Sequence, residues 1–362
     1  MYESPPTDRD LRRERLGTRI ALISATLTVA AVVVTGVIVA RNAPGFITVT
    51  DGEPDTGQLA VPGDVVAQGL AAPPFSYTFH GYTAGGLKVS EPMLVTPGYQ
   101  EAWIRRPYEL IELKDDNGEV IDSRPGYDAL LTVYRPGVYD PARYLDQERI
   151  TVGGRDGFWA GNVPYQREFV DSQPRPGVAW EYADDAWAVI SMIAAEPYPR
   201  EDLLAVAAGL AMTAPYPATT PIDLVTVPEG YTLTSGGTTD DWPLSVSEQL
   251  GSIRLTSSRP EYRGLTMPVD VLESDVPTIA VGVADARWTT EAGLAEAGAP
   301  ATCLDENKCI RLSADGRWLT VGHAPPHARA DPEQLKRVVD DAVLADVPDR
   351  STWFPLVEAA AP

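Results

Sequence analysis

Three histidines and two cysteines are the side chains of this 362-residue chain best suited to metal or nucleophilic chemistry. His323-Ala-Pro-Pro-His327 has the i, i+4 spacing that puts two imidazoles on one helix face, but the two prolines forbid that helix. The segment reads as a polar loop rather than a metal site. His80 ends a short run of alternating residues and reads as structural. No HExxH, GxSxG, SxxK, GxGxxG or P-loop pattern occurs. A triad assembled from distant residues needs no local signature, so a Ser-His-Asp cluster around His80 or His323 is what would mark hydrolysis. With 51 aspartates and glutamates, carboxylate pairs arise in any fold and single out no acid/base couple. The expectation is that no catalytic, cofactor-binding or metal-binding residue is encoded.

Cys303 and Cys309 enclose Leu-Asp-Glu-Asn-Lys. Two thiolates without neighbouring histidines make a poor zinc site, and the spacing is not CxxC. An even count at short spacing suggests one disulfide. Closing so small a loop contributes about 2 kcal/mol, which pins a turn and not a fold. The acidic turn Asp115-Asp-Asn117-Gly118 invites an EF-hand reading, but the sixth position from Asp115 is Val120, where that loop requires glycine.

Hydrophobic residues make up 44% of the chain, a globular composition. The formal net charge is −22 and the main body has no cluster of Lys and Arg, so nucleic acid is not an expected partner. Eight tryptophans and 15 tyrosines could line a saccharide or peptide cleft, but core packing is the stronger reading.

Ile20 to Ala40 is an uncharged stretch bounded by Arg19 and Arg41. At about 1.5 Å per residue it matches a bilayer core of roughly 30 Å. Five arginines precede it (Arg9, Arg12, Arg13, Arg15 and Arg19), which by the positive-inside rule places residues 1–19 in the cytoplasm. The stretch is longer than the apolar region of a cleaved signal peptide. The expectation is a single-pass anchor over 20–40 in the cell membrane, with the C-terminal region extracytoplasmic.

Residues 41–74 mix Pro, Gly and acids and read as a spacer holding one short strand near Phe46–Val49. Beyond it, Phe75–Phe79 alternates with period two, and Glu109–Lys114 with Glu119–Asp122 frame an Asn-Gly hairpin turn. One helix opens at Pro199-Arg-Glu201-Asp202, with Leu203, Val206, Ala207 and Leu210 on one face. A second opens at Asp331-Pro-Glu-Gln334 and carries Leu335, Val338, Val339, Ala342 and Val343.

The landmarks before the two helices recur in order. Trp180-Glu-Tyr-Ala-Asp184-Asp-Ala-Trp187 precedes the first, and Arg311-Leu-Ser-Ala-Asp315-Gly-Arg-Trp318 precedes the second. Tyr77-Thr-Phe79 leads to Leu87–Glu91 as Tyr231-Thr-Leu233 leads to Leu244–Glu248. The pattern predicts an α+β fold: an N-terminal transmembrane helix, then two similar, mainly antiparallel sheet units at 75–212 and 222–348. Each unit is closed by a C-terminal helix. Residues 213–221 would link them, and 349–362 would form a tail.

Strand, acidic turn, Trp-bearing strand and capped helix, followed by Val227-Pro-Glu-Gly-Tyr231, resembles the uncharacterised extracytoplasmic domains of bacterial single-pass, anti-sigma-factor-like proteins. The chain departs from that pattern in its 19-residue arm, too short to form a sigma-binding domain. The resemblance implies a sensor or interaction role with a protein or envelope partner. The function expected is therefore a membrane-anchored, non-enzymatic interaction or sensor protein. An envelope hydrolase acting on glycan or peptide, and a tethered subunit of a larger membrane assembly, are the competing readings.

Overall fold

The computed structural model describes residues 71–361 apart from 107–109, 115–119, 126–128, 164–174, 194–196, 239–249, 269–275, 289 and 325–329. Among the described residues fifteen strands form one antiparallel sheet. Those from the first half of the chain are β1 (Tyr82–Ala84), β2 (Leu87–Val89), β3 (Leu94–Val95), β4 (Tyr99–Arg105), β5 (Ala129–Tyr134), β6 (Glu148–Val152), β7 (Arg155–Ala160), β8 (Gly177–Ala183) and β9 (Ala186–Met192). The second half supplies β10 (Thr232–Thr238), β11 (Gly251–Thr256), β12 (Thr278–Asp285), β13 (Thr302–Asp305), β14 (Lys308–Leu312) and β15 (Trp318–His323). The helices are α1 (Arg200–Gly209), α2 (Pro332–Asp341) and α3 (Leu356–Ala359).

Across the sheet the order is β13-β14-β15-β12-β11-β10-β3-β4-β5-β9-β8-β7-β6, with β1 and β2 attached beside β4. The run β11-β12-β15-β14-β13 has the same spatial order and the same succession along the chain as β4-β5-β9-β8-β7. α1 follows β9 and α2 follows β15 in the same way. The central strands are buried on both faces, so they read as continuous apolar runs instead of alternating. Every residue of β5, β9 and β12 is buried.

One face of the first half packs Ala102, Ile104, Leu131, Ile190 and Met192 beneath Leu203, Val206 and Ala207 of α1. The matching face of the second half packs Ile253, Leu255, Ile279, Val281 and Val283 beneath Leu335, Val338 and Val339 of α2. The side chain of Asp331 accepts the Glu333 N–H at 3.0 Å, capping α2 as its sequence foretells.

The halves meet where β3 pairs with β10, Leu94 opposite Gly237 and Val95 opposite Gly236. A Cβ on Gly237 would fall on the Met93 carbonyl, and one on Gly236 would meet the Leu356 side chain and lie 3.0 Å from the Ser252 carbonyl oxygen. Both positions therefore need glycine for close approach. Three further pairings cross between distant segments: Ser76–Tyr77 with Tyr216–Pro217, Thr219–Thr220 with Phe354–Pro355, and Ile222–Leu224 with Ala342–Leu344.

The fold class differs from expectation. The described residues are mostly antiparallel sheet with three α-helices. The expected anchor, 20–40, and the Phe46–Val49 strand lie outside the described residues, as does Leu244–Glu248. Among the described residues no helix is long and apolar enough to cross a membrane. The single-pass, cell-membrane description is corrected accordingly and is not carried forward.

Three smaller expectations also give way. Phe75–Phe79 is buried throughout and only Ser76–Tyr77 is strand, because this stretch is covered on both sides. α2 stops at Asp341, and Ala342–Leu344 turns extended to pair with Ile222–Leu224, leaving Val343 exposed. Trp187 and Trp318 do not correspond. Trp187 packs on the face away from α1, whereas Trp318 packs with the core under α2. A one-residue offset in a strand moves a side chain to the other face, so landmarks recurring in order do not fix which face a tryptophan takes.

Gly237→Ala is expected to lower the urea unfolding midpoint by the equivalent of about 3 kcal/mol, because the obstacle is backbone that cannot rotate away. A change under about 0.5 kcal/mol would show that β3 and β10 are not held at this distance.

Candidate functional site

An open groove of about 720 Å³ lies where the second half reaches over the first. It is lined by Pro97, Pro136, Gly137, Val138, Arg259, Pro260, Glu261, Tyr262 and Arg263. Two of its walls are tight turns. At Thr96-Pro-Gly-Tyr99, joining β3 to β4, the Thr96 hydroxyl oxygen accepts the N–H groups of Gly98 and Tyr99 at 3.0 and 2.9 Å. At Arg135-Pro-Gly-Val138, after β5, the Val138 N–H donates to the Arg135 carbonyl at 3.2 Å, with Gly137 at φ +72°.

The third wall is the segment 259–263, which follows β11. Leu265 anchors it: its N–H donates to the Val138 carbonyl and its carbonyl accepts from Asp140, both at 2.8 Å. Tyr262 is the wedge. Its ring lies over Gly98, where a Cβ would come within 2.6 Å, and its hydroxyl donates to the Thr234 carbonyl at 3.1 Å. Burial pushes its phenol up to about 12, against the lowering influence of Arg259 and a hydrogen bond to Thr96. The phenol is therefore neutral and a standing donor at physiological pH.

A dense aromatic floor supports these walls. Tyr134 and Tyr139 stand with ring centroids 4.5 Å apart, Phe158 stacks on Trp187 at 6.0 Å, and Tyr99 bridges Tyr134 and Tyr262 at 5.6 and 6.4 Å. Such packing fixes the turns before any ligand arrives. Arg259, Glu261 and Arg263 are exposed along one rim.

The residues singled out from sequence sit elsewhere. His80 is 57% exposed, stacks on Tyr216 at 4.6 Å and has its Nδ1 3.2 Å from Glu91 Oε2. The Tyr216 hydroxyl donates to the Phe79 carbonyl at 2.7 Å and approaches Glu91 Oε2 at 3.2 Å. This cluster ties the 76–80 segment to the 213–218 connection. Tyr216 has its phenol raised, by burial first and then by the Glu91 charge, so it remains a donor. His323, on β15, has its imidazole lowered by burial, then by Lys308, against Asp305, with a further contribution from Arg254. Among the described residues neither His80 nor His323 has a serine or cysteine within hydrogen-bonding distance. His327 lies outside the described residues. No group of three or more His, Cys, Asp or Glu suited to a metal occurs among those described.

Cys303 and Cys309 form a disulfide, directly opposite each other on β13 and β14. It holds the last strand of the sheet to its one neighbour among the described residues. Trp180 and Trp187 belong to the cores on opposite faces and line no cleft.

Sequence reasoning missed the groove. Pro-Gly stands at 97–98 and 136–137, but also at 44–45, 62–63, 125–126 and 176–177, so the dipeptide signals turns without saying which converge. No protein-family model, no curated protein and no solved structure matches the chain.

Tyr262→Ala is expected to destabilise the chain by about 3 kcal/mol, since it removes a wedged ring and leaves the Thr234 carbonyl without its donor. Arg263→Ala, an exposed change, should stay within about 0.5 kcal/mol. Equal unfolding midpoints for the two variants would contradict the role given to Tyr262.

Proposed function

We propose that the chain is a non-enzymatic binding protein that recognises an extended, carboxylate-bearing segment of a partner protein in the groove between Pro97, Pro136 and the 259–263 segment. The observation that carries this reading is the groove's construction: three prolines and a wedged tyrosine fix its shape, and two arginines four residues apart stand on its rim. Its volume falls in the range of ligand sites, roughly 300–1,000 Å³. A preformed wall costs little ordering entropy on binding, and that cost is what usually consumes the energy of a contact.

Charge supplies the ligand class. The chain carries −22 overall, so a rim with Arg259 and Arg263 around a single Glu261 departs from the surface average. Guanidinium groups hold carboxylates bidentately, which orients as well as attracts. Repulsion from the rest of the acidic surface is screened beyond about 8 Å at physiological salt, so the local rim dominates once the ligand is close. The resemblance to extracytoplasmic interaction domains supports a partner-binding role in the same direction.

The catalytic alternatives gain no support from the clusters in hand. His80 is engaged with Glu91 and Tyr216, and both cysteines are spent in the disulfide.

Selection of a displayed random-peptide library on the purified chain is expected to enrich sequences with Asp or Glu beside extended stretches. Arg259→Glu combined with Arg263→Glu should weaken the selected peptides at least about tenfold, equivalent to 1.4 kcal/mol, with no fall in unfolding midpoint. Selected peptides that bind the double variant equally well would refute the groove as the site.

A further inference from the structure

The third wall of the groove is built like a strand that lacks a partner. Along Arg259-Pro-Glu261-Tyr262-Arg263 the side chains alternate: Arg259, Glu261 and Arg263 are exposed, whereas Pro260 and Tyr262 are half-buried. A period of two is the signature of extended chain. The bend that ends the run falls at Arg263 and Gly264, where Gly264 has φ +63°. Just beyond it Leu265 makes a parallel, strand-like pairing with Tyr139, beside the facing wall.

The main chain of this wall is unused. Among the described residues the N–H groups of Arg259, Glu261, Tyr262 and Arg263 donate to no other group of the chain, and the carbonyls of 259–263 accept from none. The two turns opposite differ. The N–H groups of Gly98, Tyr99, Gly137 and Val138 are all engaged internally, and Pro97 and Pro136 have none. Backbone recognition in the groove therefore falls to 259–263.

We infer that 259–263 takes a partner segment by strand addition, and that its side chains specify a charge pattern of acid-x-base-x-acid. This rests on the groove being the partner site and adds the mode and the code. In an extended chain residues 259, 261 and 263 turn their N–H and C=O groups to one edge, and 260 and 262 turn theirs to the other. Pro260 removes a donor from the second edge, so the guest pairs with the first, where three donors stand free. Side chains directly opposite in a ladder project to the same face and interact. Arg259, Glu261 and Arg263 then meet an acid, a base and an acid, over a span of about 13 Å. The code reads the same in both directions, so it holds for a parallel or an antiparallel guest. Main-chain bonds supply affinity and the alternate side chains supply specificity, as in other strand-addition sites.

The test is fluorescence anisotropy of labelled heptapeptides on the intact chain. Thr-Glu-Val-Lys-Val-Glu-Thr carries the pattern, and Thr-Lys-Val-Glu-Val-Glu-Thr has the same composition with two of the three pairs made repulsive. The first is expected to bind about tenfold tighter. Glu261→Lys, an exposed change, should reverse the preference toward Thr-Glu-Val-Glu-Val-Glu-Thr by a similar factor. Only alternate N–H groups of a guest strand face its host, so N-methylation of the central Lys and of both valines should differ. One of these two peptides loses at least tenfold and the other stays within about threefold. Equal binding of the patterned and scrambled peptides, or equal losses in the two methylated ones, overturns the inference. So does the failure of either peptide to bind. In each case continued binding of library-selected acidic peptides, lost in the Arg259→Glu and Arg263→Glu double variant, would leave the groove standing as the partner site, and its absence would remove both.

Discussion

The pairing of β3 with β10 is the constraint on which the rest of the structure depends. Only two residues of each strand take part, and the register works because Gly236 and Gly237 present no side chain to Met93, Leu94 and Leu356. Through that contact two strand arrays of the same order become one sheet of fifteen strands. It also fixes where the chain emerging from β11 can go. The segment 257–268 leaves the second half and is laid across the aromatic face of the first, with Tyr262 closing over Gly98. The groove is a product of this crossing, since its two turns come from one half and its third wall from the other.

Edges show how the remaining backbone is managed. A free strand edge invites pairing with other chains, and native proteins blunt it with charge or short length. β6 ends one side of the sheet with Glu148, Arg149 and Thr151 exposed, and Glu148 is held by Arg200 of α1 at 2.6 Å. β13 ends the other side, is four residues long and is bolted to β14 by the Cys303–Cys309 bridge. The bridge makes little difference to global stability, but it keeps an edge strand in register. Its persistence requires a compartment that does not reduce it.

Much of the local structure was legible because it rests on local chemistry. Asp331-Pro332 announced the start of α2, and Leu335, Val338 and Val339 announced its buried face. The short Cys spacing announced the disulfide. What could not be read was set by distant partners. Ala342 and Val343 fit the helical period, yet the chain leaves the helix there because Ile222–Leu224 offers a strand to pair with. Trp187 and Trp318 occupy the same place in the order of landmarks, but face is decided by register, which one residue can invert. The groove was invisible for the same reason. Its walls, at Pro97, at Pro136–Val138 and at 259–263, lie far apart in the chain, and only strand order brings them together.

The account's central claim is that partner recognition occurs where the two halves cross. Hydrogen exchange of the intact chain, with and without a library-selected acidic peptide, tests it most directly. The account predicts new protection concentrated at residues 97–99, 136–140 and 259–265, with the edge strands at 148–152 and 302–305 unchanged. Protection at those edges, with none in the three groove segments, would contradict it.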